Sequence, residues 1–126
     1  MGAKADFYIG IDKPKWIGST YKYGEPWSIP CKILIQNNIP LYEENVIEFL
    51  IANDGIVDFL NGSWPWSWES SKLTDYTYFF SRKSNQVLAY SRDYKIFFDP
   101  LKVMQGEDLN TAKESRVVKF PMMGVG

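Results

Sequence analysis

Apolar and polar residues alternate along several short stretches of the chain, and a period of two is the pattern of a half-buried β-strand. Residues 6–11 and 15–23 show this alternation on either side of the turn sequence DKPK, so they predict an N-terminal hairpin. Residues 29–36 repeat it and predict a third strand, which Pro30 restricts to a sheet edge or to a later start. The residues that this strand would place on one face are Ile29, Cys31, Ile33 and Ile35.

One segment instead has its apolar residues at the three- and four-residue spacing of a helix. Residues 41–53 follow Pro40, which suits a first helical turn. Glu43 and Glu44 lie near the start of this segment, at the positive end of the helix dipole. Gly55 can supply the C-terminal cap. The apolar stripe consists of Tyr42, Val46, Phe49 and Leu50, widened by Ile47 and Ile51. We expect this helix to pack on the sheet.

The second half of the chain returns to strand patterns. Residues 75–82 and 86–92 predict two strands joined by the polar loop KSN, and residues 94–99 predict a third. Several strands with one principal helix predict the α+β class, as a single domain over residues 1–126. We expect an antiparallel sheet of about four to six strands with the helix on one face. A loosely ordered tail is predicted from about position 121.

The composition limits the kinds of catalytic and metal site that the chain can contain. The 126 residues are 45% hydrophobic and 17% aromatic, which is enough to bury a core. The chain has no histidine, which excludes Ser-His-Asp and Cys-His nucleophiles and most catalytic zinc sites. Cys31 is the single cysteine, so it forms no internal disulfide, and no nucleotide-binding motif is present. We therefore expect neither a cofactor nor a metal.

The expected location is the cytoplasm. The N-terminal sequence MGAKADFYIG lacks the apolar core of a secretion signal, and no apolar run approaches the roughly 18 residues that a membrane helix requires. The net charge of −1 provides no overall attraction to DNA or to an anionic membrane. We therefore expect no membrane partner, and any charged partner has to be recognised through local features.

An unusual aromatic segment lies between the helix and the second group of strands. The sequence GSWPWSWESS places Trp64, Trp66 and Trp68 at every second position, so in an extended chain they project to one side. One interpretation is that this segment covers the sheet face opposite the helix. The other is an aromatic platform for a partner. We expect at least one of the three to be a core residue and another to be exposed.

Charge is distributed unevenly along the chain. Residues 1–80 contain six Lys or Arg and ten Asp or Glu, whereas residues 81–126 contain eight and five. Within residues 81–95, basic side chains alternate with tyrosines, a mixture that can bind a phosphate or stack on a base. These basic and aromatic residues are Arg82, Lys83, Tyr90, Arg92, Tyr94 and Lys95.

Strand parity suggests how the two arginines of this segment are arranged. Arg82 shares its parity with Phe80, and Arg92 shares its parity with Tyr90, on strands that are expected to be partners. We therefore expect Arg82 and Arg92 to lie beside one another as one basic edge. The alternative is that they are the charged ends of a hairpin.

Carboxylates offer the remaining route to an active site, because histidine is absent. Glu44 and Glu48 lie four residues apart on the predicted helix, and Asp54 and Asp58 lie four apart around its end. Catalysis would require one carboxylate to be placed in an apolar setting. Solvated charges on a surface helix give the same pattern.

Four segments in order resemble a family of small uncharacterised proteins encoded by phages and prophages. They are ADFYIG (residues 5–10), WIGS (16–19), WPWSWESS (64–71) and TDYTYFF (74–80). The W-P-W-x-W element ahead of T-D-Y is the most specific part, and the resemblance fades toward the C-terminus. It implies a phage or prophage setting and no particular chemistry.

The expected function is that of a non-enzymatic protein-binding module, such as a phage-encoded, anti-CRISPR-like inhibitor that occupies a surface of a host protein or ribonucleoprotein complex. The expected binding residues are Trp66, Trp68, Arg82, Arg92 and Tyr90. One alternative is a nucleic-acid or nucleotide binder that uses the hairpin of residues 81–95. A second alternative is a carboxylate enzyme without histidine.

Overall fold

The computed structural model describes residues 3–60, 75–108 and 111–113, which contain six strands and three α-helices. The strands are β1 (Ala5–Ile9), β2 (Lys15–Thr20), β3 (Ile56–Val57), β4 (Tyr76–Ser81), β5 (Gln86–Ser91) and β6 (Ile96–Phe98). The helices are α1 (Cys31–Leu34), α2 (Ile39–Ala52) and α3 (Pro100–Met104), and a 3-10 turn lies at Asp58–Leu60. The predicted α+β class is confirmed.

All six strands form one sheet in the order β3-β2-β1-β4-β5-β6. The predicted hairpins β1–β2 and β4–β5 are confirmed, and β6 extends the second of them as an antiparallel neighbour. The sheet is mostly antiparallel, but β1 and β4 pair in parallel at its centre. The alternation of residues determines which face a side chain occupies but not which strand lies beside it, so this parallel pair was not predicted.

Residues 29–36 do not form the predicted strand. They contain the short helix α1, which begins directly after Pro30. Ile33 and Leu34 are both buried although they are neighbours in sequence, whereas Ile35, which alternation would place inside, is 57% exposed. A helical turn can bury adjacent residues, and a strand sends them to opposite faces. The burial of this adjacent pair against α2 therefore outweighs the alternating pattern.

The predicted long helix is confirmed as α2. It begins two residues earlier than expected, since Asn38 is its N-cap and accepts a hydrogen bond from the Leu41 N–H at 3.0 Å. At the other end, the Gly55 N–H donates to the Leu50 carbonyl oxygen at 2.8 Å. The predicted stripe of Tyr42, Val46, Phe49 and Leu50 is buried.

The main core lies between α2 and one face of the sheet. The Phe7 ring of β1 is at its centre, stacked on Tyr78 with ring centroids 5.2 Å apart and edge-on to Phe49 at 6.1 Å. Tyr42 packs against Phe80 with a centroid distance of 5.5 Å. The two parallel strands therefore supply the aromatic side chains against which α2 packs.

The opposite face of the sheet is also apolar at its centre. Tyr8, Phe79 and Leu88 are buried there, and Trp16 and Phe97 pack against them while partly buried. The central strands are thus apolar on both faces, which explains the three consecutive aromatic residues of β4, Tyr78, Phe79 and Phe80. The predicted cover for this face, the segment with Trp64, Trp66 and Trp68, lies outside the described residues.

Gly18 permits the close approach of α2 to β2. A Cβ built at Gly18 would lie 2.5 Å from Leu50 Cδ1 and would also overlap the Ile56 carbonyl oxygen of β3. We expect Gly18→Ala to lower the free energy of unfolding by about 1–3 kcal/mol, because a backbone atom has to move. Urea denaturation measures this change. In the same strand, Lys15→Ala is the control and should stay within about 0.5 kcal/mol. Equal midpoints for the two variants would contradict the close contact.

Candidate functional site

The structure places Arg82 and Arg92 at opposite ends of the β4–β5 hairpin. Arg82 follows Ser81, which pairs with Gln86 at the start of β5, whereas Arg92 follows the last residue of β5. About 20 Å of strand separates these two ends. The prediction of one basic edge is therefore wrong. In an antiparallel hairpin the end of the first strand faces the start of the second, so residues that end both strands cannot be neighbours.

The predicted site residues also lie in different environments. Tyr90 points to the face opposite α2 and packs against Phe97 with a centroid distance of 4.8 Å, so its ring is half-buried. Arg82 is exposed, and its guanidinium group lies over Gly10, where a Cβ would come within 2.6 Å of Nη1. Trp66 and Trp68 lie outside the described residues, and their binding role stays a prediction. Arg82 therefore lies apart from Tyr90 and Arg92, whereas the exposed Tyr94 and Lys95 lie in the turn that contains Arg92.

The two predicted carboxylate pairs are exposed. Glu44 and Glu48 lie on the outer side of α2, and Asp54 and Asp58 are also exposed beyond its end. Glu48 Oε1 accepts a hydrogen bond from the Lys32 ammonium group. None of the four carboxylates has the apolar setting that would prepare it for acid or base catalysis.

A buried carboxylate occurs elsewhere, on β1, where no site was predicted. Ser19 Oγ donates to Asp6 Oδ1 at 2.5 Å and accepts from the Trp16 indole N–H at 3.0 Å. Asp6 is 4% exposed and Ser19 is fully buried. These groups are too buried to meet a substrate, so we interpret the cluster as a polar link between β1 and β2.

The loop between β2 and α1, residues 21–30, is held at three points. Pro26 and Ile29 are buried, and Tyr78 from β4 donates its hydroxyl hydrogen to the Gly24 carbonyl oxygen at 2.5 Å. Tyr23 adopts a positive φ of 62°, which turns the chain just before Gly24. The loop is therefore fixed on the core although it has no regular secondary structure.

An open groove of about 360 Å³ lies between this loop and the last turns of α2. Its apolar lining comes from Tyr23 and Pro30 on the loop side and from Phe49 and Ala52 on the helix side. Ser28 and Asn53 add neutral polar groups, and the ion pair of Lys32 and Glu48 completes the lining. We call this feature the aromatic groove.

Two aromatic side chains of the loop are exposed at the aromatic groove or next to it. Tyr23 is 49% exposed and lines the groove, and Trp27, which precedes the lining residue Ser28, is 63% exposed. The Lys22 ammonium group lies 5.7 Å from the centroid of the Tyr23 ring. Large aromatic side chains held outside by a fixed loop are the usual anchors of protein interfaces.

The tyrosines beneath the loop are protonated at neutral pH. Burial raises the pKa of the Tyr78 phenol well above its usual range, and Tyr76 and Glu25 raise it further. Burial also raises the pKa of Tyr76, to which Glu25, Asp75 and Asp93 add their negative charge. Tyr78 therefore remains a hydrogen-bond donor to Gly24, and the loop stays attached.

The aromatic groove was not predicted from the sequence. Its signal is the segment YKYGEPWS, which carries three aromatic residues beside the turn residues Gly24 and Pro26. A turn cannot bury all of its side chains, so such a segment exposes aromatic rings. The helix side of the groove carries no comparable signal, because Ala52 is unremarkable in a sequence.

No protein-family model, curated protein or solved structure matches this chain. Within the described ranges, no three His, Cys, Asp or Glu residues are grouped so that they could hold a metal ion. The helices of the described part are too short or too polar to cross a membrane. The candidate site is therefore defined by the geometry of the aromatic groove.

Proposed function

We propose that this chain is a non-enzymatic protein-binding module that occupies a surface of its partner through the aromatic groove. The observation that carries the proposal is a pair of exposed aromatic side chains. Tyr23 lines a groove of about 360 Å³, and Trp27 precedes the lining residue Ser28. Tryptophan and tyrosine are enriched among the residues that contribute most to protein interfaces. The volume lies near the lower end of the range found for binding clefts.

The fixed loop supports a role in binding. Because Pro26 and Ile29 are buried and Tyr78 holds Gly24, little conformational entropy remains to be lost when a partner contacts Tyr23 or Trp27. Rigid aromatic side chains add contact area at a low entropic cost. The geometry thus fits a preformed contact surface.

The resemblance to phage-encoded proteins directs the search for the partner. We propose that the partner is a host protein or ribonucleoprotein complex, and that the chain acts as an inhibitor of host defence. This finer proposal rests on the resemblance of residues 5–10, 16–19, 64–71 and 74–80 and on the absence of a catalytic arrangement among the described residues.

Affinity capture from a bacterial lysate tests the role of the aromatic groove. We expect the wild-type chain to retain a stoichiometric protein partner with and without nuclease, and Trp27→Ser and Tyr23→Ser to weaken its binding about tenfold or more. Leu41→Ser is the matched control, since Leu41 is 47% exposed on α2 but lies about 10 Å or more along the helix from the α2 residues that line the groove. All variants should first show the melting temperature of the wild type.

Two outcomes would contradict the proposal. Recovery of nucleic acid alone, lost with nuclease and with rising salt, would favour a nucleic-acid binder. Equal retention of the partner by Trp27→Ser, Tyr23→Ser and Leu41→Ser would place the contact surface away from the aromatic groove.

A further inference from the structure

We infer that the segment which occupies the aromatic groove is basic, with an apolar anchor residue between Lys or Arg side chains. This inference rests on the proposed function, and it names the chemistry of the partner. It follows from the contrast between the apolar lining of the groove and the charges on the adjacent face of α2.

The lining selects an apolar anchor. Tyr23, Pro30, Phe49 and Ala52 supply ring and aliphatic surface, and the groove is open to solvent. Burial of apolar surface there is favourable, whereas a charged group placed between these side chains would lose its hydration. The two charged lining residues, Lys32 and Glu48, are already paired with each other. The residue that enters the groove is therefore an aliphatic or aromatic one.

The α2 side of the groove is acidic. Glu44 and Glu48 are exposed one helical turn apart, and the exposed Asp54 follows the lining residue Asn53. These carboxylates extend over about 15 Å along the helix axis. The last turn of α2 contains no basic residue, so the partial negative charge of the helix end adds to them. A segment lying along α2 therefore meets negative charge before and after the groove.

Two basic groups lie near the groove. Lys22 stands over the Tyr23 ring in the loop. Lys32 of α1 lines the groove and is paired with Glu48 of α2. This arrangement orients a bound segment, because its Lys or Arg side chains are attracted to α2 and repelled from the loop.

The ion pair between Lys32 and Glu48 does not prevent this binding. The two side chains are 50% and 64% exposed, and such a surface pair contributes little to stability. An incoming arginine can donate two hydrogen bonds to the Glu48 carboxylate, in a bidentate geometry that lysine cannot match. Glu48 can therefore exchange an internal partner for one on the bound segment.

Titration with three peptides tests the inference. The probes are short acetylated and amidated peptides with one central Phe, flanked by Arg and Lys, by Glu and Asp, or by Ser and Gln. Chemical shifts of backbone amides report the binding site. We expect the basic peptide to shift the amides of Tyr23, Ser28, Phe49 and Ala52, and the acidic peptide to leave them unchanged at the same concentration.

Two variants separate the charge from the groove. Glu44→Gln with Glu48→Gln should weaken the basic peptide about five- to tenfold and reduce its sensitivity to salt, and Asp12→Asn, in the exposed β1–β2 turn, is the charge control. Ala52→Tyr fills the groove with a neutral side chain and should abolish binding of the basic and the neutral peptide.

The outcomes distinguish the two proposals. If the acidic or neutral peptide binds the groove as tightly as the basic one, the inference is wrong and the groove is still a binding site. If none of the peptides shifts the groove amides, the basic-segment inference is wrong, and unchanged partner capture by Ala52→Tyr would then remove the groove from the proposed function as well. Shifts that instead depend on protein concentration alone would identify a second copy of this chain as the occupant, which also overturns the inference.

Discussion

Replacing Phe7 with alanine is expected to lower the free energy of unfolding by about 3–5 kcal/mol. Phe7 is fully buried in the central strand β1, where its ring contacts Tyr78 of β4 and Phe49 of α2. Removal of the ring leaves a cavity at the point where both halves of the sheet and the helix meet, and β-sheet backbones on either side limit its collapse. Urea denaturation at neutral pH measures the loss.

Ile35→Ala is the control for this experiment. Ile35 is 57% exposed after α1, so its truncation should change the free energy of unfolding by less than about 0.5 kcal/mol. A loss below about 1 kcal/mol for Phe7→Ala would show that the contact of β1 with β4 and α2 is not the centre of the core.

Above about pH 10, the protein is expected to lose about 2.7 kcal/mol of stability per pH unit through two buried tyrosines. Burial raises the pKa of the Tyr42 and Tyr78 phenols far above their usual range. In the unfolded chain both phenols ionise near pH 10, so the unfolded state releases protons that the folded state retains. Their contribution to stability is complete below pH 10 and decreases as the pH rises toward the folded pKa values.

Tyr42→Phe isolates one of these two groups. The Tyr42 hydroxyl group makes only a long hydrogen bond, 3.4 Å to the Tyr8 carbonyl oxygen, so its removal should change stability little at neutral pH. Above pH 10, it should reduce the slope by about 1.4 kcal/mol per pH unit. Tyr94→Phe is the control. Tyr94 is 68% exposed, so this substitution should leave the slope unchanged. A Tyr42→Phe slope equal to that of the wild type would contradict the burial of this phenol. Urea denaturation across the alkaline range measures both slopes.

The regular elements could be predicted from the sequence wherever one physical signal dominated. Period-two alternation identified both hairpins, and the stripe from Tyr42 to Leu50 identified α2. Alternation failed at residues 29–36, because the adjacent residues Ile33 and Leu34 are both buried in a helical turn. The parallel pairing of β1 with β4 could not be predicted, since it depends on the path of the chain across the sheet.

The candidate site was less accessible to prediction than the fold. The sequence draws attention to the tryptophans of residues 64–68 and to the arginines of the second hairpin. The groove instead combines Tyr23 of a turn with Phe49 and Ala52 of a helix, and only packing brings these segments together. The prediction that Arg82 and Arg92 lie side by side was wrong, because it used strand parity without the direction of the two strands.

The parallel pair at the centre of the sheet affects the order in which the chain can fold during synthesis. Ala5 pairs with Tyr76, 71 positions later, so β1 has one free edge until β4 has left the ribosome. Closing so long a loop is slow compared with forming either hairpin. The N-terminal hairpin can form early, but its apolar strand stays open to pairing with strands of other nascent chains during this interval. The arrival of β4 therefore covers the free edge of β1 and ends this interval.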